Sequence, residues 1–93
     1  MVYKFNWSPE AKRELKFIYE YLAFHLLEPQ IALNNIQNII YKVSSLSYFP
    51  ERHPKLFYSR NYNIRKFCFK KFIILYQVDN FSHSVYILHI FHR

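Results

Sequence analysis

The C-terminal third of this chain is written as strands in close succession. Asn63 to Asp79 and Val85 to Arg93 are rich in Phe, Ile, Val and Tyr, with basic residues set among them. Such residues fit a pleated, half-buried surface. Strands are predicted near 62–69, 72–79 and 84–92. Lys70-Lys71 leaves room only for a tight turn, without the Asn-Gly chemistry such turns favour, and Asp79 to Ser84 reads as a longer hairpin loop. Ile73-Ile-Leu and Val85-Tyr-Ile-Leu are apolar on both faces, so one face is expected to pack on the rest of the domain and the other against a partner.

The preceding part changes period. Val2 to Trp7 alternates and is a strand candidate. Ser8-Pro-Glu then opens a helix: Ser8 can accept from a free N–H, Pro9 suits the first helical position, and Glu10 meets the positive end of the dipole. Ala11, Leu15, Ile18, Leu22 and Leu26 form one apolar stripe at helical spacing. Glu28-Pro29 interrupts it, and Ala32, Ile36, Ile39, Val43 and Leu46 form a second stripe that ends by Phe49-Pro50. Helices joined by so short a link are antiparallel neighbours. The expectation is one domain over residues 1–93, an α+β fold with two helices packed against a twisted antiparallel sheet.

Composition removes several functions. The chain has no glycine, which argues against a Gly-rich phosphate loop or a dinucleotide fingerprint, and no cofactor is expected. Cys68 is the only cysteine, so it has no intrachain disulfide partner and is expected to be a small buried hydrophobe. No apolar run reaches the length that spans a bilayer, and Met1-Val-Tyr-Lys-Phe lacks the pattern of a signal peptide. A cytoplasmic protein is expected. No histidine pair has zinc-ligand spacing, and His89 and His92, three apart on a strand, point to opposite faces, so no metal site is expected.

The charge is lopsided. Through Glu51, five cations balance five carboxylates, whereas from Arg52 onward eight cations face Asp79 alone, so the whole net charge of +7 lies in the C-terminal part. A field of this kind attracts a polyanion or an acidic protein partner. Arg60, Arg65, Lys66, Lys70 and Lys71 are the candidate binding residues. Arg65, His92 and Arg93 could form a catalytic set: arginines to hold an anion and stabilise charge in phosphoryl transfer, and a histidine to move a proton. The same cations could equally bind carboxylates of a protein.

At these residues the chain resembles the RelE/ParE superfamily of toxins from bacterial type II toxin–antitoxin systems. Trp7-Ser-Pro-Glu-Ala11 looks like the family's capped first helix, Ala32…Ile36…Ile39…Leu46…Pro50 like its second, and Ile64-Arg-Lys…Phe72-Ile-Ile-Leu-Tyr76…Val85-Tyr-Ile…Ile90-Phe-His-Arg93 like its C-terminal sheet. The resemblance implies a β-α-α-β-β-β domain and a cognate antitoxin that wraps the toxin in a hetero-oligomer. It also implies one of two activities. ParE-like members inhibit DNA gyrase, and RelE-like members cut mRNA on the ribosome. The ribonucleases typically carry an arginine just before the tyrosine-containing strand core, where this chain has Ile73, and often use a tyrosine or histidine near the C-terminus, close to His92. The missing arginine weighs toward a ParE-like gyrase inhibitor. Only the ribonuclease alternative gives His92, Arg65 and Arg93 catalytic roles.

Overall fold

The computed structural model describes residues 2–25, 28–56 and 63–92. The chain runs β1 (Lys4–Trp7), α1 (Pro9–Glu20), a π-helical turn (Tyr21–His25), α2 (Pro29–Ser44), a 3-10 turn (Ser45–Ser47), β2 (Ile64–Phe69), β3 (Phe72–Asp79) and β4 (Ser84–His92). The helices lie on one face of a single sheet with strand order β1-β4-β3-β2. β3 and β4 keep the residue ranges expected from their pattern, while Leu26 lies outside the described residues.

The sheet is mixed, where the sequence suggested antiparallel pairing throughout. β2–β3 and β3–β4 are antiparallel, but β1 pairs with β4 in parallel, from Lys4↔Ser84 to Trp7↔Ile87. The reason lies in the path of the chain. α1 follows the direction of β1, from Ser8 beside Ile87 to Glu14 beside Ile90. α2 brings the chain back to where β1 began, and there the Tyr3 N–H donates to the Ser47 carbonyl at 2.8 Å. β2 starts from that end, and two hairpins then lay β4 alongside β1 in the same sense.

β4 does not keep one alternation along its length. Val78 pairs with Val85 and Tyr76 with Ile87, but Leu75 pairs with His89 and Ile74 with Ile90. Leu88 is the extra residue of a β-bulge. Such a bulge reverses which residues face inward. Val85 and Ile87 are inside before it and Ile90 after it, while Phe91 is turned outward. The run from Val85 to Phe91 therefore seemed apolar on both faces in part because its inward set changes parity.

Ser8 ties this bulge to the first helix. Its hydroxyl accepts from the Ala11 N–H at 3.0 Å and donates to the Leu88 carbonyl at 2.9 Å, and its own N–H donates to Ile87. One side chain thus caps the helix and satisfies the carbonyl that the bulge turns outward. Behind it the core closes: Ala11, Ile18 and Leu22 from the first stripe and Ala32, Ile39, Val43 and Leu46 from the second are buried against Ile74, Tyr76, Val85, Ile87 and Ile90. Burying each large side chain stabilises the fold by about 1.5–3 kcal/mol.

Cys68 departs from expectation. It is exposed, because Phe67 on the same strand takes the inward position and alternation sends its neighbour out. Without glycine, the backbone puts Asn63, Lys70 and His83 at positive φ, and Lys70 opens the two-residue connection where glycine is ordinarily found.

Replacing Ser8 with Ala removes the cap and leaves the Leu88 carbonyl without its side-chain partner. A loss of about 1–2 kcal/mol is expected. Thermal melts should show the midpoint falling by roughly 4–8 °C per kcal/mol.

Candidate functional site

The cations of the late sheet do not share one surface. Arg65, Phe67 and Phe69 of β2 pair through β3 to Ile87, Ile90 and His92, so Arg65 lies on the helix side of the sheet. Lys66 points the other way, in a row with Leu75 and His89, beside the row Cys68, Ile73 and Phe91. Lys66 is exposed on this outer face, and Lys70-Lys71 forms the turn at its end. Lys70 also sets its ammonium 5.6 Å from the centre of the Phe69 ring. Arg60 and Arg93 lie outside the described residues.

Arg65 is spent on its own chain. Its Nε donates to Asn63 Oδ1 at 2.9 Å, one terminal nitrogen donates to the carbonyls of Glu51 and His53 at 3.1 and 2.7 Å, and the other reaches Glu51 Oε2 at 3.1 Å. Its side chain is only 14% exposed. The Glu51 carboxylate also accepts from Asn63 and Asn80, and Asn80 in turn accepts from the Tyr3 hydroxyl. The Asn63 amide foremost, with help from Asn80 and Arg65, holds the Glu51 carboxyl below the usual carboxylate range against a smaller opposing effect of burial.

This cluster latches the segment from Pro50 to Lys55 onto the sheet. Tyr76, fully buried, donates its hydroxyl to the Pro50 carbonyl at 2.6 Å, and burial pushes its phenol up to about 12. His53 stacks on Phe67 with ring centres 4.6 Å apart, and partial burial, then the charges of Arg52 and Lys42, lower its pKa. Sequence alone offered no sign that Glu51 would organise these groups, since its partners lie up to 29 residues away.

His92 occupies the far end of the same sheet face. Its ring lies 5.1 Å from Phe72 and 6.0 Å from Tyr21, and Tyr21 stacks on His25 at 5.1 Å. Arg65 pairs with Tyr76 and His92 with Phe72, four positions apart along β3. At strand rise that is roughly 13 Å, too far for both to act on one phosphate.

A second feature was not singled out in advance. A groove of about 720 Å³ runs between α1 and the end of β4, lined by Phe17, Ile18, Tyr21 and the stretch from His89 to His92. Glu14 spans it: Oε1 accepts from the Ile90 N–H at 3.0 Å and Oε2 lies 3.1 Å from His89 Nδ1. The signal was present, because Glu14 places a charge between Ala11 and Ile18 on the inward side of the helix. Among the described residues, no group of His, Cys, Asp and Glu is gathered to hold a metal. No helix among them is long and apolar enough to cross a membrane.

A family model described as the ParE toxin of the type II toxin–antitoxin system parDE matches residues 5–93. The chain belongs to the ParE toxin family. The ParE-type fold is seen in solved structures as well. One is a chain of the chromosomal ParDE toxin–antitoxin system from P. aeruginosa, at 20% identity and a TM-score of 0.80, covering 98% of this chain and 96% of that one. Another comes from the toxin–antitoxin complex RelBE2 of Mycobacterium tuberculosis, at 22% identity and a TM-score of 0.65, covering 100% of this chain and 93% of that one. Comparison with curated protein sequences finds no match. Family and fold thus agree with the RelE/ParE resemblance carried by the helix cap, the two stripes and the late strands.

Replacing Arg65 with Ala should act first on stability. Four hydrogen bonds are lost, one of them the ion pair to Glu51, and a cost of about 2 kcal/mol at neutral pH is expected. Glu51 has a depressed folded pKa, so its stabilising share is present above the unfolded carboxylate pKa and is lost as pH falls through the folded one. Denaturant melts of both proteins should therefore converge in part as the pH is lowered below the ordinary carboxylate range. The bonds to backbone carbonyls keep the curves from meeting.

Proposed function

We propose that this member of the ParE family arrests growth by binding DNA gyrase, without catalysis of its own, and is neutralised by a cognate antitoxin in the cytoplasm. The observation that carries this reading is the separation of Arg65 from His92. A metal-free ribonuclease needs a cation and a proton donor converging on one phosphate. Here Arg65 binds backbone carbonyls and Glu51, and His92 packs among aromatic rings at the other end of the sheet. An inhibitor that works by contact needs only an exposed surface of suitable charge.

Lys66, Lys70 and Lys71, on and beside the outer sheet face, are the proposed contacts to the target, with Arg60. Arg65 serves this surface indirectly, by fixing the segment that packs beside β2. The ParDE origin of the P. aeruginosa chain and the parDE family match support the ParE side of the superfamily.

Expression of the chain without antitoxin tests this, with plasmid supercoiling and mRNA integrity scored in the same cells. Supercoiling should fail while mRNA stays intact. Changing Lys66, Lys70 and Lys71 together to Glu should restore growth with little change in the thermal midpoint. Ribosome-dependent mRNA cleavage that disappears in His92→Gln would replace this reading with the RelE-like one.

A further inference from the structure

β1 covers only part of the β4 edge. It ends at Trp7, opposite Ile87, while β4 continues to His92. An uncovered edge presents N–H and C=O groups that call for partners. Two of these are met by side chains of the first helix and its cap: the Ser8 hydroxyl donates to the Leu88 carbonyl, and the Glu14 carboxylate accepts from the Ile90 N–H. By strand alternation the Ile90 carbonyl and the His92 N–H face the same way. The groove beyond them has apolar walls, with Phe17 69% and Tyr21 39% exposed.

We propose that this edge accepts an extended, acidic segment of the partner protein as an added strand beside residues 88–92, in line with β1, and that Glu14 is a plug which the segment displaces. The inference rests on the antitoxin reading above and specifies where and how such a partner docks. Three features define the occupant. The edge demands a backbone, because its donors and acceptors repeat at strand spacing and β1 already satisfies the same edge at Ser84 to Ile87. The walls demand alternate apolar side chains, which would cover Phe17 and Tyr21. When Glu14 leaves, Arg13 keeps Glu10 as its partner on the rim at 3.8 Å, and a carboxylate of the incoming segment can take Glu14's place beside His89. The excess of +7, carried by the residues from Arg52 onward, steers an acidic segment toward the chain as a whole. Until it arrives, Glu14 keeps the edge from pairing with other strands.

The test uses this chain and the protein encoded beside it, purified alone and together. Amide hydrogen exchange at Ile90 and His92 should slow at least about tenfold in the complex, since both amides become strand-paired. In the free chain, Glu14→Ala should speed exchange at Ile90, and it should tighten the complex about three- to tenfold because no plug remains to be displaced. Glu14→Gln, which keeps an acceptor but not the charge, should fall between the two. A stable complex with unchanged exchange at Ile90 and His92 overturns the docking site and leaves the antitoxin reading standing. Weaker binding of a folded Glu14→Ala variant shows that Glu14 is a contact rather than a plug and overturns its assigned role. Failure of the two proteins to form any complex overturns both readings.

Discussion

The arrangement of this domain depends on one extra residue in β4. With Leu88 inserted between Ile87 and His89, both Ile87 and Ile90 face the helices; a regular strand would bury one of them and expose the other. The bulge also turns the Leu88 carbonyl toward Ser8. The residue that caps α1 is thereby bonded to the strand on which α1 packs. Helix start, end of β1 and change of parity in β4 meet at one point. The open edge beyond it, and the groove against α1, follow from that junction.

The positive charge of the C-terminal part divides into two uses. Arg65 and Glu51 form a network internal to the fold, together with Asn63 and Asn80, that holds the Pro50–Lys55 segment and reaches Tyr3 ahead of β1. Lys66, Lys70 and Lys71 lie on the exposed side and at its turn. Arginine suits the first use because its planar fork can serve two carbonyls and a carboxylate at once. Lysine suits the second, as a hydrated charge on a flexible stem. Counting cations along the chain located the field but not this division.

The helices and late strands were legible because they rest on local periodicity. Ala11, Ile18, Ile39 and Val43 are buried as their spacing requires, and β3 and β4 end where the apolar runs end. Three features were not legible, each for a physical reason. Parallel pairing of β1 depends on the path of α2, not on any residue in β1. Alternation puts adjacent residues on opposite faces but does not name the inner face, which is why Cys68 is expected inside and is found exposed. A bulge leaves no mark in a run where apolar residues occupy both parities, as they do from Val85 to Leu88 and again at Ile90 and Phe91. The candidate site was legible as a charge field, while the Glu14 groove needed a helix and a strand to be brought together.

The central claim is that this toxin inhibits by occupying its target, not by turning over a substrate. Titration of purified gyrase with the folded chain, read as residual supercoiling, tests that claim most directly. The account predicts an inhibition curve that saturates once the chain matches the gyrase binding sites and that is insensitive to longer incubation. Loss of function at far lower ratios, deepening with time, or supercoiling that persists at excess toxin while mRNA is cleaved, would contradict it.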